Sequence, residues 1–135
     1  MPWIYEQRTG RLLNPNGEVV GVGYSGTGPG KNNPEMQEVP NVGPIPCGSY
    51  GIGHSFDSPT HGPFCLSLMP SSNNQMFGRS EFLMHGDSIR LPGTASQGCI
   101  VQSRDVREMV NSSLDRQLEV VREWVAPNVD GEIGM

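Results

Sequence analysis

The sequence predicts a mainly β fold with one helix in its last third, and the placement of Gly and Pro carries that prediction. Of 135 residues, 18 are Gly and 12 are Pro, well above the roughly 12% that the two contribute in average usage. Outside one stretch, no run free of both exceeds about seven residues, which suits short strands between turns and not helices. Between residues 99 and 126 neither occurs, and only there is a real helix accommodated. A helical bundle and a coiled coil are excluded. So is disorder: Leu, Ile, Val and Phe number 30 and the net charge is only −5, unlike apolar-poor, highly charged chains.

Taken in order, residues 3–7 read as a first strand, closed by Arg8-Thr9-Gly10. Residues 11–13 are a second, ended by the turn Asn14-Pro15-Asn16-Gly17. Residues 18–24 are a third, and the three read as a meander. Residues 25–34 form a Gly-, Pro- and Asn-dense loop, long enough to suggest a functional role. Residues 47–52 and 64–69 read as strands of a hairpin joined through residues 54–63, with His54 and His61 at the surface. Residues 73–77 are loop. Residues 79–85 are a strand with Phe82-Leu83-Met84 as its buried run, so that His85 falls at its end, before the turn at Gly86-Asp87. Ser103 is the expected N-cap, with Asp105 in the first turn. Val106, Met109, Val110 and Leu114 follow helical spacing. Residues 118–122 are the last strand. Residues 123–135 are a polar tail, in which Trp124 must nevertheless cover something.

A chain of this length makes one domain, 1–135, able to bury about two-thirds of its unfolded surface without staples. No apolar run approaches the roughly 20 residues that span a bilayer, so no membrane insertion is expected. The first ten residues lack a basic segment followed by an apolar stretch, so no signal peptide is expected either. Nine basic residues against 14 acidic ones, without a basic cluster, exclude nucleic acid as a partner. Cys47, Cys65 and Cys99 have no CxxC spacing, and neither a metal nor a cofactor is expected. Cys47 and Cys65 fall on strands that the hairpin makes neighbours, in a register compatible with a disulfide in an oxidising compartment. The other reading is two small buried hydrophobes.

The chemistry concentrates between residues 85 and 101. His85 ends a strand, and a small-residue turn, Ala95-Ser96-Gln97-Gly98, presents Cys99 before an apolar pair and the helix. The thiolate is the reactive form of Cys, and a nearby imidazole generates and stabilises it. Gly98 permits a tight turn and close approach of a substrate carbonyl. The N–H groups of Gly98 and Cys99 are candidate donors to a developing oxyanion. This is what acyl transfer through a thioester requires.

The segment resembles the catalytic signature of L,D-transpeptidases of the YkuD fold: His85-Gly86, then Ser96-Gln97-Gly98-Cys99-Ile100, with Cys99 14 residues after His85. Upstream, Gly23-Tyr24-Ser25-Gly26 and Val42-Gly-Pro-Ile-Pro-Cys-Gly-Ser-Tyr50 resemble further elements of that family. The resemblance is nearer to a compact branch, the L,D-transpeptidase-like toxins of type VI secretion systems. Their pattern of Tyr-Ser-Gly, Gly-Lys-Asn-Asn-Pro, Val-Gly-Pro-Ile-Pro-x-Gly-x-Tyr, Gly-Arg-Ser-x-Phe, His-Gly-Asp and Ala-Ser-x-Gly-Cys-Ile runs from Tyr24 to Ile100. Gln97 stands where the broad family has His, and Val101 where it has Arg or Asn, which leaves a second substrate-binding His and the cross-linking role open.

The resemblance implies a β-sandwich of the YkuD type and a peptidoglycan stem peptide as substrate. It implies Cys99 as nucleophile and His85 as general base and acid, cleaving the diaminopimelate–D-Ala bond of tetrapeptides. The acyl group would pass to water, to a D-amino acid or to another stem. It further implies an antibacterial toxin delivered by a type VI secretion apparatus to a target periplasm, with a cognate immunity protein. A catalytically inert peptidoglycan-binding module of the same fold is the alternative. Around the pair, Asp87 either orients His85, binds the substrate amine or merely bonds its own turn. Ser96 either meets the His85 ring or is a turn residue. Arg79 is a candidate clamp for a stem-peptide carboxylate. Lys31, Asn32, Asn33 and Gln97 are candidates to line the peptide groove.

Overall fold

The computed structural model describes residues 1–125. Nine strands and one α-helix follow in the order β1 Trp3–Glu6, β2 Arg11–Leu13, β3 Val19–Val22, β4 Tyr24–Ser25, β5 Gly48–Ser58, β6 Gly62–Pro70, β7 Phe82–His85, β8 Ile100–Val101, α1 Arg104–Asn111 and β9 Gln117–Val121. Short 3-10 turns at Gly28–Gly30 and Pro34–Met36 break up the long loop after β4. The strands join in one mixed sheet, β3-β2-β1-β9-β5-β6-β7-β8-β4. The β1/β9 and β7/β8 pairs are parallel and the other pairs antiparallel.

This order dictates the shape. β3 and β4 are opposite edges of the sheet, yet only Gly23 separates them in sequence. Laid flat, those edges would stand roughly 38 Å apart at the usual strand spacing. The sheet must therefore curl until its edges meet at Gly23. There the Gly23 N–H donates to the Gly10 carbonyl at 2.8 Å, and a Cβ on Gly23 would lie 1.7 Å from the Val101 carbonyl oxygen. Only glycine fits. The expected mainly β fold with one helix is present, and its layers are halves of one curled sheet. The third strand expected over residues 18–24 is instead two strands, because the chain changes edges at Gly23.

Alternation fills the interior. Trp3 and Tyr5, Tyr50 and Ile52, Leu66 and Leu68, Phe82 and Met84, and Leu118 and Val120 share one core, sealed by Val106 and Val110 of α1. Ser103 caps α1 as expected, its hydroxyl accepting from the Val106 N–H. Two residues of the expected helical stripe are not in the core: Met109 is exposed, and Leu114 lies beyond the helix, fully exposed. A helix this short buries only one narrow stripe, so Val106 and Val110 suffice.

Other boundaries move for identifiable reasons. The hairpin strands are longer than residues 47–52 and 64–69, since β5 and β6 pair from Tyr50 and Pro70 out to Ser58 and Gly62, with register shifts between Ile52 and Ser55 and between Phe56 and Ser58. Irregular twisted ribbons of this kind lose the clean alternation by which strands are read. β7 begins only at Phe82, after Glu81 with φ 64°. Cys47 and Cys65 are both free. Cys65 lies opposite Phe56, nine residues along from Cys47, so roughly 30 Å of strand separates the thiols. A disulfide needs Cα atoms within about 7 Å, and the expected register is overturned. Of the tail, the Trp124 N–H donates to Glu6 Oε2 at 2.8 Å, while residues 126–135 lie outside the described residues.

Candidate active site

β7 and β8 run parallel in the register Met84↔Ile100 and His85↔Val101. Cys99 immediately precedes β8 and so lies level with Leu83, two residues before His85. The Leu83 N–H points at Cys99 Sγ, 3.3 Å away. His85 is 2% exposed. Its Nδ1 stands 2.8 Å from the Gly86 carbonyl oxygen, a partner that can only accept, so Nδ1 carries the proton. The lone pair is left on Nε2, which is buried and has no hydrogen-bond partner among the described residues. A ring nitrogen of His85 and Cys99 Sγ lie within 4.8 Å. The two candidate residues are thus brought together with the imidazole in the tautomer that accepts a proton.

Burial dominates the electrostatics of both groups. It lowers the His85 pKa below that of a free imidazole, against the pull of the Gly86 carbonyl, and the charges of His61 and Arg107 add to the lowering. It pushes the Cys99 thiol up, against the Leu83 N–H. The resting pair is therefore a neutral thiol beside a neutral imidazole.

The loop bearing Cys99 is held from below. Ser96 is buried; its hydroxyl donates to the Cys99 carbonyl at 2.6 Å and accepts from the N–H groups of Gly26 at 2.9 Å and Gly98 at 3.0 Å. Ser25 Oγ donates to the Gly98 carbonyl at 2.8 Å and accepts from Ile45 N–H at 2.9 Å. Beneath Gly98 runs Arg79, 9% exposed. Its two terminal nitrogens donate to the carbonyls of Gln37, Pro44, Gly43 and Gln97. Gly98 has φ 138°, and a Cβ there would lie 2.4 Å from Arg79 Nη2 and 2.9 Å from the Phe82 ring. Glycine is required both by conformation and by the passing guanidinium.

The remaining expected residues occupy defined places. Arg79 spends its terminal donors on four backbone carbonyls, so it ties loops together in place of clamping a carboxylate. Ser96 is bonded within its own loop and to Gly26, not to the His85 ring. Gly98 N–H is taken by Ser96, leaving the Cys99 N–H as the remaining donor of that pair. Asp87 accepts from Tyr24 OH at 2.6 Å, Ser88 N–H at 2.7 Å and Gly93 N–H at 3.0 Å, and Tyr24 OH accepts from Ala95 N–H at 2.8 Å. Asp87 therefore closes the loop over residues 88–94. Burial raises its carboxyl and these donors more than reverse that, so its pKa is lowered; Tyr24 is pushed up to about 12, by burial first and Asp87 next. Lys31 stacks over the Tyr24 ring at 4.4 Å. Asn32, at φ 53°, accepts from Ser25 N–H, and Asn33 caps the second 3-10 turn. Gln97 is exposed and lines the cleft.

One side chain beside the pair has no signal in the sequence. His61, at the tip of the β5–β6 hairpin, is exposed as expected, but its ring packs against His85, with centroids 4.8 Å apart and planes tilted by 42°. A His61 nitrogen lies within 4.8 Å of both the His85 nitrogen and Cys99 Sγ. Its position is set by Arg107, a buried residue of α1 that donates to the Pro63 and Phe64 carbonyls at 3.0 and 2.7 Å. Neither the hairpin's reach nor the Arg107 tether has a local sequence signal.

A curled mixed sheet that brings a strand-end His85 to line a cleft with Cys99, on a loop held by buried polar ties, defines a protein built to hold a thiol beside an imidazole. The family model of the Tlde1 domain matches residues 20–124. The chain belongs to that family, which is one of type VI secretion effectors. No curated protein and no solved structure matches it. Among the described residues no helix is long and apolar enough to cross a membrane.

Proposed function

We propose that this effector is a cysteine-dependent enzyme that cleaves the diaminopimelate–D-Ala bond of peptidoglycan tetrapeptides in a target cell's periplasm. The observation that carries the reading is the Cys99–His85 pair, with Nδ1 fixed by Gly86 and Nε2 left without a hydrogen-bond partner among the described residues. Nε2 takes the Cys99 proton as Sγ attacks the carbonyl carbon of diaminopimelate. The Leu83 N–H steadies the charge on sulfur, and the Cys99 N–H faces the developing oxyanion. The His85 imidazolium then protonates the departing D-Ala amine, leaving a thioester. Water, activated by the again neutral imidazole, resolves it to a tripeptide; a D-amino acid resolves it by exchange.

A neutral pair suits this concerted transfer. Because the His85 pKa is depressed, its base form persists below the usual imidazole range, and the acid limb of the rate profile falls below pH 6.5. Trimmed stems have lost the D-Ala leaving group and no longer donate an acyl group to cross-links, which weakens the wall and accounts for a toxin that a producing cell must neutralise with an immunity protein. The test is mass analysis of muropeptides from sacculi incubated with the protein. Tetrapeptides should become tripeptides or exchanged tetrapeptides. Cys99→Ala and His85→Ala should each lose on the order of 10⁴-fold or more in rate while keeping the wild-type circular dichroism. Tetrapeptides left intact by well-folded wild-type protein refute the proposal.

A further inference from the structure

We infer that the same cleft is a binding site for a soft divalent transition metal, zinc foremost, and that occupancy by the ion reversibly silences Cys99. His61, His85 and Cys99 each offer a ligand atom, and all lie within 4.8 Å of one another. Two imidazoles and one thiolate are the donor set of an open, three-ligand zinc centre, with a fourth position left for water. A second observation points the same way: His85 is 2% exposed and its Nε2 is a buried acceptor aimed at no donor. The other nitrogens are already held as ligating histidines usually hold them. His85 Nδ1 donates to the Gly86 carbonyl, and His61 Nδ1 lies 2.9 Å from the Thr60 hydroxyl. The carbonyl contact fixes the tautomer of His85, and both contacts orient their rings.

The geometry asks for little. Around a tetrahedral zinc, with Zn–S about 2.3 Å and Zn–N about 2.0 Å, ligand atoms stand roughly 3.3–3.6 Å apart. Contraction from 4.8 Å is about 1.2–1.5 Å at most, and the His61 side chain, exposed on a hairpin tip, is the ligand best placed to move. On coordination the Cys99 thiol gives its proton to solvent and sulfur bonds the ion; nothing is oxidised or reduced. The sequence conceals the set, because residues 61, 85 and 99 lie on three separate elements with no short spacing.

The ion would occupy the sulfur and the nitrogen that acyl transfer uses, yet its binding does not depend on that reaction. The test therefore uses no peptidoglycan. Zinc is titrated calorimetrically into the full chain, and cobalt is used to read the thiolate-to-metal charge-transfer band. Accessibility of Cys99 to iodoacetamide is followed by peptide mass analysis with and without zinc. One ion per chain is expected, with a cobalt–thiolate band and protection of Cys99 that a chelator reverses. Cys99→Ser should abolish the band, whereas Cys47→Ser combined with Cys65→Ser should keep it. His61→Ala, on an exposed tip and so safe for folding, should weaken zinc by at least about tenfold. Absence of binding overturns the inference. So does a cobalt band that survives Cys99→Ser, or an affinity indifferent to His61→Ala. Failure of the muropeptide assay alongside these results would remove the proposed reaction and leave the metal site standing.

Discussion

The two imidazoles of the cleft are held in opposite ways. His85 ends a strand in the interior of the sheet, is 2% exposed, and has its Nδ1 committed to the next carbonyl. His61 is exposed at a hairpin tip, its ring packed at a tilt against His85 and its neighbours tied to α1 through Arg107. The first belongs to the clamped wall of the site, where Arg79, Ser96 and Ser25 hold the Gln97, Gly98 and Cys99 carbonyls and the Gly98 N–H. The second belongs to a wall anchored at Pro63 and Phe64, with the tip residue itself in solvent. The difference separates residues that set the chemistry from residues that tune access to it. It also predicts where substitutions cost stability and where they change only the titration of the site.

The largest stability effect should come from the clamp. Arg79→Met removes a buried guanidinium from four carbonyls of three segments, leaving acceptors unsatisfied. A loss of about 3 kcal/mol is expected in urea denaturation, together with a faster alkylation of Cys99 as the loop loosens. An unchanged midpoint would mean that water replaces the guanidinium at no cost and that the loop is not clamped. Gly98→Ala follows, since it forces a Cβ to 2.4 Å from Arg79 Nη2 at φ 138°. About 2–3 kcal/mol should be lost, and turnover should fall with it, because the shift is transmitted to the residue bearing the nucleophile. Retention of wild-type turnover would show that the turn tolerates displacement.

Next in size is Tyr24→Phe. Its hydroxyl links Asp87 to the Ala95 N–H, and its loss should cost about 1–2 kcal/mol at neutral pH. Asp87 has a depressed pKa in the folded state, so its contribution is present above the ordinary carboxylate range and is lost as pH falls through the folded value. Without the Tyr24 donor the depression shrinks, and the gap between variant and wild type should narrow toward acid. A gap independent of pH down to acid unfolding would assign the loss to the Ala95 N–H left without its acceptor and not to Asp87.

The comparison also explains what a reader of the sequence can and cannot find. Cys99 and His85 are legible because one short parallel pairing, β7 with β8, joins segments only 14 residues apart whose turn and strand signals are local. The β character is legible for the same reason: turn residues act where they stand. The edge change at Gly23 is not, because residues on either side continue as strand and only the distant Gly10 and Val101 carbonyls require a glycine there. Arg79 resembles a substrate clamp in sequence, since a guanidinium that binds a carboxylate and one that binds carbonyls are the same residue. Its four acceptors come from segments the sequence does not bring together. His61 sits among Ser, Pro, Thr and Gly, as a surface turn residue would, and the His85 ring 24 positions away gives it its meaning.

His61→Ala is the smallest perturbation and the sharpest test of the contrast. Its tip is exposed, so stability at neutral pH should change by less than about 0.5 kcal/mol. The effect should appear in the titration of His85. In the wild type, burial lowers that pKa first, with contributions from the charges of His61 and Arg107. Removing the packed ring both uncovers His85 and deletes one of those charges, and each change moves the pKa back toward 6.5. The shift is measurable from the His85 ring protons by NMR, without any substrate. The sign for stability follows. A depressed imidazole stabilises the fold above the unfolded value, and that contribution is lost as pH falls through the folded value, because the unfolded chain binds the proton more readily. The variant should therefore lose less stability on acidification than the wild type, and the acid limb of any turnover should move up in pH. A His85 pKa that stays put or falls would mean that His61 neither shields nor repels it. The two imidazoles would then be neighbours without coupling, and the division between a chemical wall and a tuning wall would fail.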